Sequence, residues 1–168
     1  MITFFDEVQL LSVSATFHNV SNINNDALAD EVLSSQKRLS SNKNSPLYED
    51  TLFSPVEGSE GHKLIGMIER YFNSEGLTIS EIWSQIHYPK ESTNTHNHVP
   101  FKYGFVYYVK VPEGAGDLSF YFREPDITTS ISPVQGRLIV FPAWCNHYVS
   151  KNTGDDIRIS IAGNISPL

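Results

Sequence analysis

The sequence predicts one α+β domain, mainly β, in which two N-terminal helices support a sandwich, jelly roll or barrel of short strands. Three observations predict it. A length of 168 residues suits a single domain. Apolar residues recur with a helical period at two places in residues 1–76 and with a period of two beyond them. The alternating stretches are short and separated by turn-forming residues, as in an all-β layer structure. The domain 1–168 therefore divides into an N-terminal strand with supporting helices, 1–76, and a β core, 77–168.

The stretch from Val8 to Phe17 is rich in β-branched and aromatic residues and predicts a strand. Asn24, Asn25 and Asp26 supply N-cap chemistry, and Ala27, Leu28, Val32 and Leu33 follow at near-helical spacing, which predicts a helix over 25–40. The polar run from Ser40 to Pro46 reads as a loop. Leu64, Ile65, Ile68, Tyr71 and Phe72 form one apolar stripe, so a helix is expected from Glu60 to Asn73, closed by Gly76 as a C-cap. Phe101, Tyr103, Phe105, Tyr107, Val109 and Val111 then alternate with other residues, the pattern of a half-buried strand. Leu118, Phe120 and Phe122 repeat it after the turn chemistry of residues 112–116. Leu138 to Phe141 is a continuous apolar run, as in a strand covered on both faces. Ile157, Ile159 and Ile161 alternate again.

Charge narrows the partners. Lys and Arg number 12 against 19 Asp and Glu, a net charge of −7, with no basic cluster. That disfavours nucleic acid, whose phosphates need a basic face. No apolar run is long enough to cross a bilayer. The first residues lack a basic-then-apolar leader pattern, and the single cysteine, Cys145, has no partner for a disulfide; both lead us to expect a cytoplasmic protein.

Three of the 6 histidines belong together. His96 and His98 flank Asn97, and in extended chain such a pair points to one side and can chelate one metal ion. His147, just after the apolar run ending at Phe141-Pro142, is the expected third ligand. Arg158 lies opposite in parity to Ile157, Ile159 and Ile161; if that face lines the interior, the guanidinium needs an anionic partner, because an unpaired buried charge is costly. His87 has opposite parity to Tyr88 and is expected on the outer side of its strand. His18 and His62 have no partner motif, and Cys145 reads as a small buried hydrophobe.

In their order, these parts resemble the iron(II)- and 2-oxoglutarate-dependent dioxygenases, within them the prolyl-hydroxylase-like group, over residues 82–165. The resemblance rests on Tyr88-Pro89, His96-Asn97-His98, the aromatic stretch from Phe105 to Val109, Gly116-Asp117-Leu118-Ser119-Phe120, Gly136 to Pro142, His147 and Arg158-Ile159-Ser160-Ile161. It implies a double-stranded β-helix (jelly roll) whose 77–168 core carries the metal site. It implies Fe(II) on His96, His98 and His147, and 2-oxoglutarate held by Arg158, with Tyr88 contacting the same carboxylate. The departure is His98, which stands where the family has Asp or Glu. Asp117 or Glu124 could supply the missing carboxylate, but His98 as third ligand keeps the family spacing.

The leading expectation is an oxygenase hydroxylating a substrate that the sequence does not name, a protein side chain or a small molecule. A cupin-like three-His metalloprotein that does not use 2-oxoglutarate (a dioxygenase, isomerase or binding module) is the alternative; it lacks the Glu that cupins place shortly after the His pair. A non-enzymatic β-sandwich module is a third reading, and it leaves the stretch from Gly136 to Arg158 without a reason. Loops 89–95 and 123–135 are expected at the mouth of the site, and edge strands leave a homodimer open.

Overall fold

The computed structural model describes residues 1–10, 13–35, 51–123 and 126–168. Eleven strands and two helices follow in the order β1 (Ile2–Leu10), β2 (Val13–Val20), α1 (Asn25–Ser35), β3 (Thr51–Leu52), α2 (Glu60–Asn73), β4 (Leu77–His87), β5 (Thr93–His96), β6 (Tyr103–Lys110), β7 (Leu118–Phe122), β8 (Ile127–Ile131), β9 (Arg137–Pro142), β10 (His147–Val149) and β11 (Arg158–Pro167). They form a seven-stranded sheet, β1-β2-β9-β6-β11-β4-β3, and a four-stranded sheet, β5-β10-β7-β8. The pairings are antiparallel throughout, as a double-stranded β-helix requires. No helix among the described residues is long and apolar enough to cross a membrane.

The large sheet has a core on each face. Leu28, Val32, Leu64, Ile68 and Phe72 of the helices cover Phe105, Tyr107, Leu138, Ile159, Ile161 and Ile165 on one side. Val106, Tyr108, Ile139 and Phe141 face the small sheet on the other, against Leu118, Phe120 and Val149. β6 is therefore buried on both faces rather than half-buried, because alternation reports only which residue faces which layer. α2 matches its expected bounds, and Ser59 caps it by accepting from the His62 N–H. Its last turn ends at Ser74, and Gly76 turns the chain two residues later at φ +69°.

Other elements depart from expectation. The stretch from Val8 to Phe17 is not one strand but the meeting of β1 and β2, with Leu10 opposite Val13. No Gly, Pro, Asn or Asp marks that reversal. α1 ends at Ser35, and the expected helix tail 36–40 and loop 40–46 lie outside the described residues. The expected mouth loops contain strands: β5 ends the first, and β8 lies in the second, paired with β7. β8 reads Ile-Thr-Thr-Ser-Ile and is largely exposed, so no apolar pattern announces it.

Candidate metal and cosubstrate site

His96 ends β5, His147 opens β10, and the two are register partners in that antiparallel pair. Partners directly across a ladder share a face, so strand pairing alone brings the rings to a centroid separation of 4.4 Å. His98 lies beyond the strand end. Its backbone N–H donates to the Ala143 carbonyl at 2.7 Å, which ties the His-x-His segment to the end of β9. Gly104 leaves room for this approach: a Cβ there would stand 2.8 Å from the Phe141 ring and 3.2 Å from that of His98. The three imidazoles each offer one nitrogen, all within 4.8 Å of one another.

Two hydrogen bonds fix the ring tautomers. His96 Nδ1 lies 2.8 Å from the Asn94 carbonyl oxygen, and His147 Nδ1 lies 2.9 Å from that of Cys145. A carbonyl only accepts, so each Nδ1 carries a proton, which leaves Nε2 as the nitrogen that each ring can offer a metal. Burial, and secondarily the nearby His96, holds His98 down to about 4 and His147 to about 3, so both rings are neutral. Their Nε2 atoms stand 3.2 Å apart. Neutral imidazoles converging on one point fit a divalent first-row metal. No described carboxylate joins them. Asp117 lines a separate depression, and Glu124 lies outside the described residues.

The three histidines open into a cavity of about 560 Å³ between the sheets. One wall is a ladder between β4 and β11, whose rungs pair His87 with Arg158, Gln85 with Ser160, Trp83 with Ala162, and Glu81 with Asn164. The alternate residues of β11, Ile159, Ile161 and Ile165, face the helices. Arg158 is 1% exposed and lines this cavity. Its guanidinium has one long contact, Nη1 to the Gly116 carbonyl at 3.5 Å, and lies 5.2 Å from the Tyr108 ring centroid. Its Nε has no hydrogen-bond partner, and no described carboxylate forms an ion pair with it. Burial pulls the guanidinium below its usual range, with Tyr108 and Asp117 pushing back, yet an arginine stays charged. A cation buried next to a cavity and left unneutralised calls for an anion in that cavity.

Tyr88 does not reach the cavity. It packs against the helix-side core, because the alternation at the end of β4 turns His87 inward and Tyr88 outward. The expectation for the two residues was thus right in parity and inverted in face. His87 is 1% exposed; its Nε2 lies 2.9 Å from Thr93 Oγ1 in β5. Burial first, and Arg158 second, hold His87 neutral with a pKa of about 3. Asn152, which sequence reasoning missed, is fully buried and donates from Nδ2 to the carbonyls of His87 at 3.1 Å and Asp156 at 2.8 Å. It joins the end of β4 to the segment entering β11, so it sets the Arg158 rung. Its only trace in the sequence is the Asn-Thr-Gly turn that it begins.

Residues 123–164 match the family model described as "Putative 2OG-Fe(II) oxygenase". No curated protein matches the chain in sequence. Solved structures are similar in fold. A viral collagen prolyl hydroxylase from Paramecium bursaria Chlorella virus-1 superposes with a TM-score of 0.66 at 17% identity, covering 92% of this chain and 90% of that one. A Pseudomonas putida prolyl-4-hydroxylase gives 0.65 at 16% identity, over 87% and 89%. A Trichoplax adhaerens prolyl hydroxylase, in complex with a hypoxia inducible factor peptide, gives 0.64 at 17%, over 90% and 83%.

Proposed function

We propose that this chain is a 2OG-Fe(II) oxygenase of the prolyl-hydroxylase-like group and hydroxylates its substrate at an iron centre held by His96, His98 and His147, a reading that the match over residues 123–164 and the likeness in fold support. The observation that carries the reading is Arg158, a buried guanidinium with no ion-pair partner among the described residues, in the wall of the cavity that the three histidines share. When bound, iron would supply oxidation by O2, with one oxygen atom going into succinate as 2-oxoglutarate loses CO2 and the other into the hydroxylated substrate.

The chain's own residues do the rest. Arg158 holds the carboxylate of 2-oxoglutarate that lies away from the metal, through a charge-assisted and preferably bidentate contact. His87, the register partner of Arg158, is a buried neutral ring braced by Thr93 and supports that rung from outside the cavity lining. Leu118, Phe141 and Val149 give the cavity apolar walls that would exclude water around a bound cosubstrate. The carbonyls of Asn94 and Cys145 keep two ligand rings in the metal-binding tautomer. The cupin-like reading would use the same three histidines but leaves Arg158 buried without a counter-charge.

The test is anaerobic. Fe(II) is added to the purified chain, then 2-oxoglutarate, and a metal-to-ligand charge-transfer band is sought in the visible. A band that saturates at one equivalent of iron and weakens in His98→Ala is expected. Tight iron binding with no band would overturn the 2-oxoglutarate role and favour the cupin-like reading.

A further inference from the structure

The part of the β4–β11 ladder that lines the cavity has Arg158 at one extreme and a carboxylate at the other. Glu81 of β4 lies opposite Asn164 of β11, both line the cavity, and Glu81 is exposed, which makes this rung the mouth. Asn164 is 3% exposed and donates from Nδ2 to Glu81 Oε2 at 2.7 Å. That bond aims the carboxylate and fixes the amide orientation, so Asn164 Oδ1 must be an acceptor. This Oδ1 is buried with no hydrogen-bond partner. No described Lys, Arg or His forms an ion pair with Glu81. The rung thus presents a carboxylate with no described counter-ion, and beside it the buried, unpartnered acceptor Asn164 Oδ1.

The next rung inward adds an aromatic surface. Trp83 lies on the same face of β4 as Glu81 and lines the cavity, its ring centroid 5.7 Å from that of His98. A carboxylate beside an indole face is a pairing that takes a cation, by charge on one side and ring quadrupole on the other. Leu52 of β3, 75% exposed and opposite Trp83 in the ladder, extends the wall with apolar surface suited to an alkyl stem.

From this we propose that the mouth of the cavity binds the amino or guanidino group of a cationic substrate, with Glu81 as the specificity-determining residue and Asn164 as the residue that positions it. The substrate class rests on the oxygenase reading given above. The cation site itself rests only on the rung. The ladder sorts the two ligands by charge: an anionic cosubstrate is attracted to the Arg158 end and repelled at the Glu81 end, and a cationic substrate the reverse. The net charge of −7 favours the approach of a cation.

The test measures binding, so it does not depend on turnover. N-acetyl-lysine amide and N-acetyl-arginine amide are titrated against the full chain, with N-acetyl-norleucine amide as the uncharged comparison. Titration of 2-oxoglutarate with Fe(II) is run separately. A cationic probe is expected to bind about tenfold tighter than norleucine, the sum of a modest ion pair and a cation–π contact. In Glu81→Gln that preference should fall to about threefold or less, with affinity for the norleucine probe unchanged. Equal binding of all three probes, no detectable binding of either cation, or a preference that survives Glu81→Gln overturns the proposal. If 2-oxoglutarate fails to bind while the cationic preference holds, the oxygenase reading falls and the cation site stands. If 2-oxoglutarate binds and the preference is absent, the oxygenase reading stands and the cation site falls.

Discussion

A buried arginine with no ion-pair partner among the described residues is a stability cost, which under the proposed function a bound ligand offsets. Exchanging a buried ionic group for an apolar one of similar volume often stabilises a protein by about 1–4 kcal/mol. Arg158→Met should therefore raise the denaturant midpoint of the ligand-free chain while sharply weakening 2-oxoglutarate binding and leaving iron affinity nearly intact. Loss of stability with unchanged 2-oxoglutarate affinity would make Arg158 a structural residue. At this scale the sequence was informative where chemistry is rare: an His-x-His, a later His and an inward Arg have few other uses. It misled where one step of alternation decides. Nothing local to His87-Tyr88 says which side the helices will cover, and that choice decides which of the two packs under the helices and which turns toward β5.

Among the elements, the two helices and the metal site lie on opposite faces of the seven-stranded sheet. Ile68 of α2 is fully buried in the helix-side core. Ile68→Ala should cost about 2–5 kcal/mol by removing buried methylenes and leaving a cavity. Its 2-oxoglutarate and iron affinities should match the parent's under conditions where it is folded, which a denaturation curve paired with a binding titration will check. A large loss of affinity in the folded variant would mean that the layers are coupled. The elements that could be read in advance are those with a clear apolar pattern, α2, β6, β7, β9, β11 and the start of α1. β5, β8 and β10 could not, since each is short, and their register comes from tertiary partners. β5 and β10 nevertheless carry His96 and His147, so the histidine cluster was legible and the strands that hold it were not.

For the molecule as a whole, acid sensitivity follows from its buried neutral imidazoles. His87 and His147 are held at about 3 and His98 at about 4, chiefly by desolvation. Against an ordinary value of 6.5, the unfolded chain takes up these protons first. Their contribution to stability is therefore complete above pH 6.5 and is lost as pH falls through the window down to about 3. Urea midpoints of the metal-free chain should drop between about pH 7 and pH 5, and a flat profile would contradict the buried, neutral state of these rings.

The β4–β11 ladder has a last consequence, one of counting. Arg158 and Asn164 sit on one strand, so the separation of the two ends of the cavity is written as a whole number of residues. Strands advance about 3.3 Å per residue and show each face at every second one. A single inserted residue between them would turn one end outward and destroy the arrangement, whereas a pair would lengthen it by about 6.6 Å and keep both ends facing in. Reach can thus be altered only in steps of that size, so a cavity of this design measures its cargo digitally and not by gradual adjustment.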